Sequence, residues 1–331
     1  MKIIQGEGRL DFDIVDINQY STKGTVLNTM TDGTNHLVTI LNDDGYQTRI
    51  FNTNCLIATI TSFVHTITGF HSGIVAGHWN NSELKIRQGD NEQTFENGLY
   101  SFVFQIGCQP IILRSVHVNI LDMTVDSKNV YIVGSWIGQT LATDRVLLTI
   151  NNPNNQTNGF LIKFNTDGSA NALLIASSTF ASVTCVSVLD QRVAIAGVYH
   201  TDVTYDGMTE TSDTLSGFIS YDQLGLKSVN NKVESLVLTP VGLYSLGQSN
   251  KTIVSLYTNK LIWTREIVGS IAKSLETDIE SRVYVIASYE EADFGDFRLA
   301  PTDNSYFIAL FDRDGHMLLV MRFKGASILS M

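Results

Sequence analysis

Short apolar strands that end in glycine or alanine recur along the chain, and an aromatic residue usually follows two positions later. The copies are VYIVGSW (130–136), VAIAGVY (193–199), GIVAGHW (73–79) and VYVIASY (283–289). A related strand, LYSLGQS, ends at Gly247 without the aromatic. Recurrence at intervals of roughly 50 residues is typical of a repeated supersecondary unit.

A second kind of apolar strand follows each copy after a polar segment and runs into a tight turn. The clearest examples are GFLIKFNTDG (159–168), YFIALFDRDG (306–315), HLVTILNDDG (36–45) and GFISYDQLG (217–225). The Asp-Gly endings predict hairpins, because glycine takes a positive φ without strain. Short strands also precede the glycine strands, at 62–68, 121–127, 183–189, 234–240 and 272–278. With the strand after each turn, every unit is predicted to have four antiparallel strands, A to D, and almost no helical periodicity appears.

Repeated four-stranded sheets predict a β-propeller, because radial repetition protects the edges of each sheet. Six C strands occur but only five complete A–B pairs, and the two termini supply the missing pair. The end of the chain (322–331) matches the approach to an A strand, and KIIQGEG (2–8) matches a B strand ending at Gly6. A pair of β-sandwiches is the alternative, but it does not explain why the first and last segments complete one repeat.

The predicted fold class is therefore all-β, a single six-bladed β-propeller with four antiparallel strands per blade. Its last blade is closed by a C-terminal strand A together with N-terminal strands B–D. The predicted blades of this single domain (1–331) are 56–113, 118–176, 182–230, 233–267, 271–323, and 324–331 joined with 2–50.

Two of the predicted blades resemble a known repeat. The segments TVDSKNVYIVGSW (124–136), ETDIESRVYVIASY (276–289), GFLIKFNTDG (159–168) and YFIALFDRDG (306–315) resemble the bacterial-type propeller repeat, whose blades read roughly vavDssGNvyvaGy…afvaklnpdG. The resemblance covers these two blades well and the whole chain in weaker form. It implies a propeller and no particular activity, because such repeats occur in surface and scaffold proteins of many kinds.

Composition narrows the setting. The formal net charge is −11, which disfavours nucleic acid as a partner because an acidic protein repels phosphate backbones. The N-terminus does not resemble a signal peptide, and no stretch approaches the ~20 apolar residues of a membrane span, so we expect an intracellular or virion location. A bias towards Asn, Ile and Thr is a feature of AT-rich genomes, including those of large DNA viruses, and suggests a virion component. Cys55, Cys108 and Cys185 each lie among apolar residues and are predicted to be buried free thiols.

No motif spells out a reaction. The chain has no P-loop, no nucleophile elbow, and neither the HxH nor the HExxH spacing of a metal site. Turns such as DRDG (312–315) resemble the start of a calcium loop but lack the acidic residue that should follow downstream. We therefore predict no metal and no cofactor.

The aromatic residues after the glycine strands are the candidate binding residues. Trp79, Trp136, Tyr199 and Tyr289, with His200, would stand at the start of the B–C segments, which are long and polar in three blades (80–97, 137–157 and 200–216). Aromatic side chains on loops of a rigid scaffold build many binding faces. The alternative is that each ring packs between blades as repeated core.

The A strands would line the central channel, where His65, Asp122 and Glu276 are the candidates for contact with a ligand. Asp126 and Asp278 fall at A–B turns, where aspartate serves the turn itself. We predict a non-enzymatic binding or structural module with a protein or glycan partner. The alternative is a propeller enzyme, a lyase or a glycoside-active protein, with its site at the channel mouth.

Overall fold

Antiparallel strands make up most of the protein. The computed structural model describes residues 25–52, 55–144, 149–152, 155–165, 169–221, 224–295, 297–300 and 305–324. Within these ranges the chain forms strands and turns without a helix, which confirms the all-β expectation. No apolar helix capable of crossing a bilayer is therefore found there.

The described strands form six consecutive four-stranded units, called units 1 to 6, and each strand pairs with the next strand of its own unit. Unit 1 contains β1 (Thr25–Thr31), β2 (Asn35–Asn42), β3 (Gly45–Asn52) and β4 (Cys55–Ser62). Unit 2 contains β5 (His65–His71), β6 (Ile74–Gln88), β7 (Asn91–Gln105) and β8 (Ile111–Arg114). Unit 3 contains β9 (His117–Val125), β10 (Asn129–Ile137), β13 (Asn158–Asn165) and β14 (Ala170–Ile175), with the hairpin β11 (Thr140–Thr143) and β12 (Thr149–Asn151) between its middle strands.

The second half of the chain repeats the arrangement. Unit 4 contains β15 (Phe180–Leu189), β16 (Arg192–Tyr205), β17 (Met208–Tyr221) and β18 (Gly225–Val229). Unit 5 contains β19 (Lys232–Thr239), β20 (Gly242–Gln248), β21 (Lys251–Tyr257) and the first half of β22 (Leu261–Thr277). Unit 6 contains the second half of β22, β23 (Val283–Asp293), β25 (Ser305–Phe311) and β26 (Met317–Lys324), with the short β24 (Arg298–Leu299) paired to β23.

A β-bulge interrupts the first strand of every unit at an equivalent place. In units 2 to 5 the residue before the bulge pairs with the repeated glycine: Ile67 with Gly77, Ile120 with Gly134, Val183 with Gly197, and Val233 with Gly247. In unit 6 Ala272 pairs with Ala287, and in unit 1 the register shifts between Val26 and Asn28. A bulge is a specific feature of a strand pair, so its recurrence indicates that the six units share one structural plan.

The bulge explains why glycine recurs. A Cβ placed on Gly134 would lie 1.9 Å from the carbonyl oxygen of Asn119 in the bulged strand. It would also lie 2.8 Å from Cζ of Phe160 in the third strand. A backbone carbonyl cannot move aside as a flexible side chain can, so only glycine fits at position 134, where the two neighbouring strands close on the second strand.

Successive units share apolar cores. Five clusters of buried side chains among the described residues join unit 1 to unit 2, 2 to 3, 3 to 4, 4 to 5, and 5 to 6. Polar contacts also cross these junctions. The backbone N–H of Val186 donates to Asp122 Oδ2 (2.9 Å), and that of Leu238 donates to Ser187 Oγ (2.9 Å). The units are therefore packed in sequence, each against the next.

The three segments between second and third strands that are expected as long polar loops (80–97, 137–157 and 200–216) contain β-hairpins in their described parts. We call the hairpins of units 2, 3, 4 and 6 arms; their described residues are 80–99, 140–144 with 149–151, 201–212, and 290–295 with 297–299. Each arm forms a backbone pair with the end of the preceding unit: Lys85 with Thr61, Ala142 with Arg114, Thr204 with Ala176, and Asp293 with Val268. Units 1 and 5 have short turns instead. The arms therefore cover the outer edge strands of units 1, 2, 3 and 5.

The first unit differs from the predicted order. The strand HLVTILN was expected as a third strand, but β2 is the second strand of a complete unit that begins at Thr25. The expected strand at 62–68 is also displaced, because β4 ends at Ser62 and β5 begins at His65. The proposed pairing of 324–331 with 2–8 lies outside the described residues, apart from Lys324 at the end of β26.

The cysteines are free, but the prediction that all three are buried is wrong. Cys185 is buried between units 4 and 5, whereas Cys55 and Cys108 are exposed. Cys55 begins an outer strand whose first two residues are exposed, and Cys108 lies in a turn, so apolar neighbours in the sequence do not place these thiols in the core.

Candidate functional site

The four aromatic candidates occupy the interior. Trp79, Trp136, Tyr199 and Tyr289 are all at most 4% exposed. Each ring packs against the phenylalanine that pairs with the repeated glycine or alanine, at centroid distances of 6.1, 6.2, 6.3 and 5.7 Å for Phe102, Phe160, Phe218 and Phe307 respectively. The small glycine or alanine leaves room for the phenylalanine ring. The aromatic side chain two residues later then packs against that ring. These rings are thus core residues, and they offer no exposed surface to a ligand.

His200 is the exposed member of the binding set. Its backbone carbonyl accepts a hydrogen bond from Thr179 Oγ1 (2.6 Å), and its Nδ1 lies 3.1 Å from Thr201 Oγ1. These contacts tie the start of the unit 4 arm to the turn before β15. These hydrogen bonds connect two neighbouring chain segments and do not form a pocket around His200.

Asp122 is committed to the backbone. Its carboxylate accepts from the N–H of Met123 (2.8 Å) through Oδ1 and from that of Val186 (2.9 Å) through Oδ2. Burial raises the pKa of Asp122 to about 7, and the two backbone donors offset part of that rise. Its position joins the first strands of units 3 and 4. Glu276, the third channel candidate, lies on β22 with an exposed side chain.

His65, by contrast, leads to a surface site. The ring is buried, with Nε2 2.7 Å from Thr48 Oγ1 and Nδ1 2.9 Å from Ser62 Oγ. Thr48 Oγ1 lies in turn 2.8 Å from Thr39 Oγ1. Burial, with a smaller contribution from the charge of His78, lowers the pKa of His65 to about 4. The imidazole is therefore neutral at physiological pH, and its hydrogen bond with Ser62 Oγ fixes that side chain from the buried side of the sheet.

Ser62 borders a cleft of about 340 Å³ between unit 1 and the arm of unit 2. Three strands lie side by side here, and their pairing puts Gln47, Thr61 and Lys85 in one row across the sheet. The next row contains Tyr46 opposite Ser62. The remaining lining residues come from turns and the arm: Asn42, Asp44, Phe63 and Glu83.

Two turns form one wall of the cleft. Gly45, at φ 115°, lies in the turn between β2 and β3 against the chain at Ser62 and Phe63. A Cβ on Gly45 would lie 2.8 Å from the carbonyl oxygen of Ser62, so glycine is needed both for the turn and for the approach. On the other side Asn80 N donates to the carbonyl of Val64 (3.2 Å). The turn that carries Phe63 is held from both sides.

Several polar side chains of the cleft have local partners. Asn42 Oδ1 accepts from the N–H of Asp44 (3.1 Å), and Gln47 Oε1 accepts from Arg49 Nε (2.7 Å). Lys85 Nζ lies 3.0 Å from Glu83 Oε1. The ring of Phe63, in contrast, is 71% exposed at the rim. An arrangement of fixed polar groups beside an exposed aromatic can orient a small ligand at little cost in side-chain entropy.

The acidic turns are structural. Asp126 accepts from the N–H groups of Lys128 and Asn129, and Asp278 from those of Glu280 and Arg282, which confirms the predicted turn roles. Asp312, Asp314 and His316 also converge. The convergence follows from the turn, because Asp312 accepts from the N–H groups of Asp314 and His316.

Comparison with known proteins adds no assignment. No protein-family model matches the chain, and no curated protein matches it. The candidate site therefore rests on its own geometry.

Proposed function

We propose that the protein is a six-bladed β-propeller that acts as a non-enzymatic binding module, with the cleft beside Phe63 as its ligand site. The single observation that carries the binding role is this cleft, where Phe63, 71% exposed, borders polar side chains, three of which (Asn42, Gln47 and Lys85) have local partners. The partner class is a protein or a glycan. A virion component remains the setting proposed from the Asn, Ile and Thr bias.

The faces of the two terminal units support closure into a ring. Val38, Ile40 and Phe51 are buried on the face of unit 1 that points away from unit 2. Ile286 and Ile308 are buried on the face of unit 6 that points away from unit 5. Apolar faces on both ends of a row of packed sheets are complementary, and a ring would bring them together.

Paired cysteines test this closure. In a Cys55→Ser, Cys108→Ser, Cys185→Ala background, we would introduce cysteines at Ile40 and Ile308 and add a short bifunctional thiol reagent while the protein refolds from denaturant, because thiols at these buried positions are shielded in the native state. A closed ring predicts an intramolecular crosslink that joins the first and last units in a peptide map. The control replaces Ile308 by Val254 of unit 5. Equal crosslinking of both pairs, or of neither, contradicts closure.

The enzymatic alternative is less well supported by the geometry. Ser62 and His65 form a hydroxyl–imidazole pair beside the cleft, but Ser62 is only 8% exposed. A histidine with a pKa of about 4 is a weak general base at neutral pH. Thr48 occupies the far side of the ring, where a carboxylate would stabilise the imidazolium.

Ligand-observed NMR tests the binding role. Neutral saccharides, short peptides and nucleotides would be screened as separate mixtures against the wild-type protein, Phe63→Ala and Leu215→Ala. Leu215 is a matched control because it is also exposed (65%) and lies on unit 4. We expect saturation transfer to one mixture, lost in Phe63→Ala and kept in Leu215→Ala. Absence of transfer to every mixture, or equal transfer to all three proteins, contradicts the proposed site.

A further inference from the structure

We infer that the ligand of the cleft is a neutral oligosaccharide that places one sugar ring on the face of Phe63. The inference rests on the proposed binding role and adds the chemical class of the ligand. The volume of about 340 Å³ falls at the small end of the roughly 300–1,000 Å³ usual for ligand sites. It suits one or two sugar rings.

The aromatic residue supplies the apolar half of the recognition. A pyranose ring has one face lined by C–H groups, which packs on an aromatic face while its hydroxyls point outward. Phe63 is fixed in a short turn between β4 and β5, with Gly45 on one side and Asn80 on the other. Its ring is exposed although its backbone is held, which is the property a stacking platform needs.

The remaining lining residues supply the polar half. A sugar hydroxyl both donates and accepts, so its partners must include both kinds of group. The row of Gln47, Thr61 and Lys85 offers an amide, a hydroxyl and an ammonium, and Asp44 adds carboxylate acceptors. Both kinds of partner are present along one side of the cleft.

An extended peptide fits the cleft less well. Peptides that bind to sheets add a strand to a free edge, and the strand backbone provides the hydrogen bonds. Here β3 lies between β2 and β4, and β4 lies between β3 and the arm of unit 2. The backbone groups along this floor are therefore already engaged.

Charge selects against anionic ligands. Asp44 and Glu83 outnumber Lys85 in the lining, and Lys85 is paired with Glu83 at 3.0 Å. Phosphate or sulfate groups would meet net negative charge there. Two arginines lie outside the cleft, in the row formed by Arg49, Thr59 and Arg87. This row is two residues away, along β3 and β6, from the row that contains Gln47 and Lys85.

The experiment is a saturation-transfer titration of the intact protein. The panel contains lactose, maltose, cellobiose and chitobiose as neutral probes, a sulfated disaccharide, and the peptide Gly-Phe-Gly. We expect at least one neutral disaccharide to bind with an affinity insensitive to salt between about 50 and 300 mM. Phe63→Ala should weaken it about tenfold, and Phe63→Tyr should retain it, because the stacking face is kept.

Controls separate ligand class from protein integrity. The melting temperature of Phe63→Ala should match that of the wild type, and Leu215→Ala should bind as the wild type does. Binding of Gly-Phe-Gly at the cleft, without any sugar, overturns the saccharide inference and leaves the binding role intact. Salt-sensitive binding of the sulfated probe alone overturns it in favour of the Arg49–Arg87 row. Failure of every probe overturns both the inference and the proposed function.

Discussion

Gly134 and Phe160 face each other across β10 and β13, and the phenylalanine ring fills the space that a side chain on the glycine would need. The same pairing occurs between Gly77 and Phe102 and between Gly197 and Phe218. In unit 6 the pair is Ala287 and Phe307. The glycine or alanine that recurs near the end of these strands is therefore explained by a close contact between the first, second and third strands of these units.

Substitution of the glycine should be severe. In Gly134→Ala the new Cβ would meet the carbonyl of Asn119 at 1.9 Å, so we expect a loss of about 3 kcal/mol or more in the free energy of unfolding. Ala287→Gly is the matched reverse change and should cost only about 1 kcal/mol, through backbone entropy. Urea unfolding of both variants measures the contrast. Equal losses would show that the glycine is not sterically required.

Two tyrosines at equivalent positions should respond differently to loss of their hydroxyls. Tyr199 Oη donates to Ser228 Oγ (2.8 Å), so Tyr199→Phe should lower the free energy of unfolding by about 1 kcal/mol. Tyr289 Oη is buried and has no hydrogen-bond partner within the described part of the chain, so Tyr289→Phe should be neutral or stabilising. Thermal unfolding decides between the two outcomes, and a larger loss for Tyr289→Phe would contradict the assignment.

Thiol labelling should proceed in two stages. Cys55 and Cys108 are exposed and should react promptly with a thiol reagent in the native protein. Burial raises the pKa of Cys185 well above its usual range and shields the sulfur, so this residue should react only after denaturation. Peptide mapping after a timed pulse gives the order. Native labelling of Cys185 at the rate of the other two would contradict its burial.

Two buried groups, Asp122 and His65, should make the free energy of unfolding depend on pH in opposite directions. Asp122 has a folded pKa of about 7, raised by burial, so between its usual pKa and 7 the folded state holds a proton that the unfolded chain has lost. Stability from Asp122 therefore falls as pH rises through that window. His65 has a folded pKa of about 4, lowered by burial, so between 4 and its usual value the unfolded chain binds the extra proton. Stability from His65 therefore rises with pH there.

Single variants separate the two contributions. Asp122→Asn should remove the decline in the free energy of unfolding towards neutral pH, and His65→Gln should remove the loss of stability in acid. Denaturant unfolding of each variant at pH steps between about 4 and 8 gives the slopes. Variants that keep the wild-type slopes would show that these groups titrate as they do in the unfolded chain.

Local sequence signals anticipated much of the fold and little of the site. The apolar strands around VYIVGSW, and the turn roles of Asp126 and Asp278, depend on near neighbours in the chain and were recognisable. The burial of Trp136 was open from sequence, because an aromatic at a strand end serves a core and a binding face equally well.

The cleft depends on contacts that no local pattern encodes. Lys85 reaches Thr61 only because the arm of unit 2 crosses to the edge of unit 1. Phe63 follows a polar strand end and lies in the segment assigned to a first strand from sequence, so its exposure was not foreseen. The segment HLVTILNDDG (36–45) reads as a third strand from sequence because its Asp-Gly turn resembles the turn that follows third strands elsewhere.

The arms make the joints between units unequal. Backbone pairing links unit 1 to 2, 2 to 3, 3 to 4 and 5 to 6, whereas the described residues show no strand pairing between unit 4 and unit 5. That joint depends on apolar packing and on a few side-chain contacts such as that of Leu238 with Ser187. In hydrogen-exchange measurements, the free energy of local opening should therefore be lower for the amides of β18 and β19 than for amides at the other junctions. The molecule would then consist of two cooperative folding units that meet at residues 230–231.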